Sequence, residues 1–162
     1  KPLIFGGEQE RGYRAGTEAI HNIVGMDKAL NMAYEHLNEE KAYVSGLKEY
    51  FMKQLQSNLP KVRFNGGCSE FDSSTYTLVN VCLPIAAEKA AMLQFQLDLK
   101  GIACSKGSAC QSGSNQQSHV LTAILNADDL KKPSVRFSFS IFNTKDELDD
   151  VVKVLKEFIS ES

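Results

Sequence analysis

The residue with the clearest chemical potential is Cys110, set in Gly107-Ser108-Ala109-Cys110-Gln111-Ser112-Gly113-Ser114. Its neighbours are small, so they leave the sulfur uncovered and the backbone free to move. A thiol reacts as its thiolate, which needs exposure and positive potential; Lys106, four residues upstream, is placed to supply the charge. The plainer reading is a surface cysteine in a pliable loop. Two further arrangements use the same residue. Cys104, Cys110 and His119 could face a metal ion, but their spacing, C-x5-C-x8-H, matches no familiar zinc pattern and a fourth ligand is missing. Cys104 and Cys110 could also close a small regulatory disulfide. Cys82, inside an apolar run, reads as core, and Cys68 follows a Gly-Gly turn with no partner within sequence reach.

A thiol in such a segment needs a rigid frame on either side, and the hydrophobic periodicity supplies one. Residues 6–17 hold four glycines among charged residues and show neither helical nor strand period, so they read as a working loop or a hinge. Thr17 stands where a helix N-cap belongs. Ile20, Ile23, Val24, Leu30, Ala33 and Leu37 follow at three- and four-residue steps, and the pattern resumes through Val44, Leu47, Phe51 and Leu55. This predicts one long helix or two, with Gly25 and Asn38 as the candidate breaks. Residues 62–64 and 76–83 read as strands, 86–100 as a helix closed by Gly101, and 102–104 as a short strand. After the polar segment 105–118, read as a mobile loop, come a helix from His119 to Asn126 and a strand over 134–140. A last helix is announced by the capping box of Thr144 and Glu147. The expected fold is therefore α/β of the α+β kind: a single sheet of about four strands with helices packed against it.

Composition narrows the function classes. A chain of 162 residues, 43% hydrophobic and 23% charged, can close around one core without disulfide staples. Its net charge of -2 gives no sign of the basic surface that a phosphate backbone demands, so nucleic acid is not an expected partner. No apolar run approaches the about 20 residues needed to span a bilayer, and no signal segment opens the chain; a cytoplasmic location is expected.

Three motifs, taken together, resemble the cysteine desulfurases of the NifS/IscS type, members of the class V branch of the aminotransferase fold. The run Gly6-Gly7-Glu8-Gln9-Glu10-Arg11-Gly12-Tyr13-Arg14-Ala15-Gly16-Thr17 is similar to that family's GGGQERGLRAGT segment. Leu97-Asp98-Leu99-Lys100-Gly101-Ile102-Ala103, leading into Gly107-Ser108-Ala109-Cys110, is similar to the stretch that presents its catalytic cysteine. Ser118-His119-Val120-Leu121, Val135-Arg136-Phe137-Ser138 and Phe142-Asn143-Thr144 follow in matching order. The resemblance covers nearly the whole chain.

The resemblance implies a small C-terminal domain of the aminotransferase-like fold, with 1–17 a glycine-rich cofactor and dimer loop at the boundary of a large domain and 18–162 the small domain with its leading helices. It implies an enzyme that uses pyridoxal 5'-phosphate to take sulfur from L-cysteine, leaving L-alanine and a persulfide on Cys110 for iron-sulfur cluster assembly or other sulfur transfer. Arg136 would grip the substrate carboxylate, where the residue by itself reads equally as an exposed strand-end arginine. Thr17 would donate its hydroxyl to the cofactor phosphate of the other subunit of a homodimer, a role compatible with capping. A sulfur acceptor or scaffold protein is the implied partner. The family's cofactor lysine, stacking histidine and pyridine-pairing Asp would all lie upstream of Lys1, and no lysine here matches that motif; if this were the whole polypeptide it would be inactive alone. Glu8 and Ala87 stand where the family commonly has glycine, and Cys104 where it has an apolar or small residue. A persulfide carrier, a partner-binding module, and a Cys104/Cys110 redox or metal module are the alternatives.

Overall fold

The computed structural model describes residues 1–105 and 118–160, apart from the side chains at 87, 88, 90 and 91. The chain divides into two compact units, Lys1–Asn38 and Glu39–Ser162. The first holds a short 3-10 helix, Gln9–Gly12, and the helix α1, Ile20–Glu35. Ala15 is the one buried residue in this unit. The helical pattern predicted through residue 58 breaks at His36, between α1 and α2 (Leu37–Asn58), rather than at Gly25 or Asn38.

The second unit is mixed α and β. Strands β1 (Arg63–Phe64), β2 (Leu78–Cys82) and β3 (Ser134–Ser138) form an antiparallel sheet in the order β1-β2-β3. Helices α3 (Ala87–Leu99), α4 (His119–Ile124), α5 (Ala127–Leu130) and α6 (Lys145–Ser160) complete it. Alternation along the strands sorts their side chains to two faces. Val79 pairs with Phe137 and Val81 with Val135, and all four are buried. Phe51 of α2, wholly buried, meets Phe137 and Phe139 edge to face at 5.2 and 5.7 Å. Leu93 and Leu97 of α3 and Leu148, Val152 and Leu155 of α6 join the same core. The opposite face of the pairing carries Asn80 across from Arg136, and Leu78 across from Ser138.

Local signals decide where several elements end. The predicted capping box is formed: the Thr144 N–H donates to the Glu147 carboxylate at 2.9 Å and the Glu147 N–H to Thr144 Oγ1 at 3.3 Å. Asn126 caps α5 through the N–H groups of Asp128 and Asp129, splitting off a short helix that the periodicity did not reveal. Lys48 of α2 is completely buried, and burial pulls its pKa down against the opposing influence of Cys68. Its ammonium donates to Ser74 Oγ (2.8 Å) and to the Thr75 carbonyl (2.9 Å), fastening the turn-rich 68–75 segment to the core.

Among the described residues the sheet has three strands where about four were expected. Residues 102–104 do not pair as a strand; one rung, Ser105 with Arg136, forms instead. The next rung would join Ala103 to Ser138, but those two residues line an open cavity of about 380 Å³. The physical reason lies one turn upstream. The Ile102 N–H is committed to the carbonyl of Leu97 (2.9 Å) in the cap that closes α3, which holds the start of the segment to the helix end.

Candidate functional site

The geometry around the cysteine segment begins at that cap. Gly101 has φ +75°, its N–H donates to the Asp98 carbonyl at 2.9 Å, and with the Ile102–Leu97 bond this is a Schellman motif. The glycine is required because a side chain at this φ is strained, even though an added Cβ would meet nothing within 4 Å. The turn delivers the chain to Ser105, which exchanges two backbone hydrogen bonds with Arg136. The Ser105 N–H donates to the Arg136 carbonyl at 3.0 Å, and the Arg136 N–H to the Ser105 carbonyl at 2.8 Å.

Both backbone hydrogen bonds of Arg136, the middle residue of β3, thus go to Ser105 on one edge, while Asn80 stands opposite it in β2 and its side chain is exposed. Strand alternation keeps it off the face that buries Val135 and Phe137. Among the described residues no carboxylate or carbonyl takes a hydrogen bond from its guanidinium. An arginine presented this way has its planar fork available for a carboxylate ligand.

Cys110 and Lys106 lie outside the described residues. Ser105, at the rung, is the last described residue before Cys110 in the chain. The other cysteines suit no such role. Cys68 and Cys82 are buried free thiols, and Cys104 is half-buried, its thiol pushed up by burial and further by the charge of Asp98. Cys104 therefore stays protonated near neutrality and is a poor nucleophile. Among the described residues no cluster of three His, Cys, Asp or Glu could hold a metal ion; the Cys104/Cys110/His119 set includes a residue outside them. His119 is the first residue of α4, where Ser118 caps the helix through the Leu121 N–H at 3.4 Å.

Thr17 lies in the other unit, and its capping role is corrected by the structure. Helix α1 begins at Ile20 with Ala19 at the N-cap position and no side-chain cap. Arg14 holds the preceding carbonyls in the loop, including that of Thr17 at 3.5 Å. The Thr17 hydroxyl makes no hydrogen bond among the described residues. It borders a cavity of about 270 Å³ that Arg14, Ala19, Asn22, Ile23 and Met26 also line. An exposed hydroxyl beside a 16-residue helix's N-terminus is a donor set that fits one end of an anionic group such as a phosphate.

The loop that carries Thr17 is closed by contacts the sequence did not announce. The Ala15 N–H donates to the Ile4 carbonyl at 3.2 Å, and the Gly16 N–H to Gln9 Oε1 at 3.1 Å. Glu10 and Arg11 sit in the left-handed region at φ 49° and 57°, a conformation non-glycine residues rarely adopt. Gln9 lies within the first motif with no role read for it, and Asn22 in none; the Gly16 contact reveals the one and the cavity lining the other. No described helix is long and apolar enough to cross a membrane.

The sequence profile described as Aminotransferase class-V matches residues 5–151. A cysteine desulfurase IscS of Dictyoglomus turgidum is 35% identical over 98% of the chain, and one of Clostridium botulinum is 36% identical over the same share. The chain spans 39% of the length of each. A solved structure titled NifS-like protein superposes over the entire chain, and 39% of its own, with a TM-score of 0.77 at 27% identity.

Proposed function

The chain belongs to the aminotransferase class-V family, and from that premise we propose that it is the C-terminal segment of a pyridoxal-phosphate-dependent cysteine desulfurase, with Cys110 as the sulfur-accepting nucleophile. The observation that carries the reading is the Ser105–Arg136 rung, because it ties the root of the cysteine segment to the strand that exposes a guanidinium with no hydrogen bond among the described residues. A carboxylate held at Arg136 and a thiol tethered to the same rung are the two contacts needed to bring an amino-acid thiol against a protein thiolate.

Bound pyridoxal phosphate supplies the electron sink that weakens the substrate's carbon–sulfur bond. Thr17 would hold its phosphate through the hydroxyl left free at the start of α1, in a partner subunit of a homodimer. Arg136 pairs with the substrate carboxylate and orients the substrate. The Cys110 thiolate attacks the substrate sulfur: a sulfur–sulfur bond forms, the carbon–sulfur bond breaks with its electron pair passing to carbon, and protonation there yields L-alanine. A thiolate of an acceptor or scaffold protein then takes the outer sulfur of the Cys110 persulfide, returning Cys110 as its thiolate, for iron-sulfur cluster assembly or related sulfur transfer in the cytoplasm. Cys104, held as a thiol by burial and Asp98, does not compete.

The test is mass spectrometry of Cys110 in the full-length, cofactor-loaded protein after exposure to L-cysteine, beside a Cys110→Ala control. A gain of one sulfur on Cys110 with release of alanine, both absent in the control, is expected. A loaded protein that forms no persulfide refutes the reading.

A further inference from the structure

Arg14 lies three residues before Thr17 and is half-buried, and its hydrogen bonds among the described residues all stay within the loop. Nη1 donates to the Gly16 carbonyl at 2.8 Å and reaches those of Ala15 at 3.4 Å and Thr17 at 3.5 Å. Nη2 donates to the Glu18 carboxylate at 3.3 Å. Three consecutive carbonyls thus converge on one cation. Gly16, at φ +99°, supplies the left-handed turn that lets them do so, and its N–H is fixed in turn by Gln9. Nη1 carries two hydrogens and faces three acceptors, so that nitrogen has nothing left to offer a ligand. Arg14 also borders the 270 Å³ cavity, yet its hydrogen bonds run to the backbone that carries Thr17.

We propose that Arg14 is the positioning residue for the Thr17 hydroxyl: it clamps residues 15–18, delays the start of α1 to Ile20, and so leaves the hydroxyl free of a capping role and directed to an anionic ligand. The inference rests on reading Thr17 as a donor to the cofactor phosphate. Without the clamp, Thr17 can relax into the N-cap position that its sequence predicts, where its hydroxyl serves the helix instead. Arg14 acts through Thr17 and the phosphate; it does not recognise the rest of the cofactor.

The experiment titrates the cofactor-stripped full-length enzyme with pyridoxal phosphate and with pyridoxal, which lacks the phosphate, and compares wild type, Arg14→Ala, Thr17→Ala and the double variant. Loss of a hydrogen bond to a charged group predicts roughly tenfold weaker pyridoxal phosphate binding in Thr17→Ala, and about fivefold to tenfold in Arg14→Ala. The double variant should be less than about twofold weaker than Thr17→Ala alone, because the two act in series. Pyridoxal affinity should not change with either. Arg14 is refuted as a positioning residue if Thr17→Ala weakens binding but Arg14→Ala does not, if the two losses multiply, or if Arg14→Ala weakens pyridoxal equally. A silent Thr17→Ala overturns the phosphate reading itself, and the inference with it. Should Arg14→Ala fail to fold, Arg14→Lys serves: one ammonium cannot span the same oxygens, so binding at least threefold weaker is expected, and wild-type affinity overturns the proposal.

Discussion

Replacing Arg136 with Gln separates a ligand-binding arginine from a structural one, because the structure predicts opposite outcomes for binding and for stability. The side chain is exposed and has no acidic partner among the described residues, while its backbone makes both bonds of the Ser105 rung. Arg136→Gln removes only the charge and the fork. Its cost to folding should stay within about 0.5 kcal/mol, as for surface positions without a partner. The loss on the substrate side is larger. A charge-assisted hydrogen bond contributes about 1.5–3 kcal/mol, so KM for L-cysteine should rise roughly 10- to 150-fold. Steady-state alanine release by the full-length enzyme measures this, with urea unfolding of the same variant as the stability arm. Cysteamine, which lacks the carboxylate and cannot give alanine, is the control, read as persulfide on Cys110: wild type and variant should handle it alike. A variant destabilised by more than about 1 kcal/mol, or one that loses equally on cysteamine, would refute the assignment of Arg136 to the carboxylate.

Other consequences are tested by folding measurements on the chain. Gly101→Ala should cost about 1–2 kcal/mol, and Gly101→Leu no more than that, because the strain comes from φ +75° and an added Cβ meets open space; a much larger loss for Leu, seen by denaturant unfolding, would mean crowding instead. Thr144→Ala should destabilise by about 1 kcal/mol through loss of the α6 N-cap, read from the same transitions. The Arg63 guanidinium beside Asp129 holds that carboxyl below the usual range, with burial opposing it and Lys132 assisting. A depressed carboxyl pKa contributes stability above its unfolded value, about 3.9, and loses it as pH falls through the folded value. Acid unfolding of Asp129→Asn, followed by circular dichroism, should therefore depend less steeply on pH below about 4 than wild type.

Much of the frame was legible because its signals are local. The capping box at Thr144 and Glu147 and the glycine cap at Gly101 are short-range hydrogen-bond patterns, and both appear as the residues predict. Thr17 was misread as a cap for a related reason: residue type and position favoured that role, but α1 begins at Ile20 and one long side chain, Arg14, reaches over the loop to its carbonyls. Residues 102–104 look like a strand by composition, yet strand formation depends on an available partner edge. The helix cap claims the Ile102 N–H, leaving one rung at Ser105.

From the sequence alone came the family resemblance, the α/β class, the identity of Cys110 as candidate nucleophile, and the helices whose apolar stripes repeat every three or four residues. These depend on residue type and near spacing, which the linear order preserves. Only the tertiary structure decided that Arg136 shares a rung with the root of the cysteine segment, 31 residues away in sequence. The folded chain also decided that the Cys104 thiol is muted by burial, and that the hydrogen bonds of Arg14 among the described residues stay within its own loop. Those outcomes turn on strand register, desolvation and the reach of a flexible cation, which take definite values only once the chain has folded.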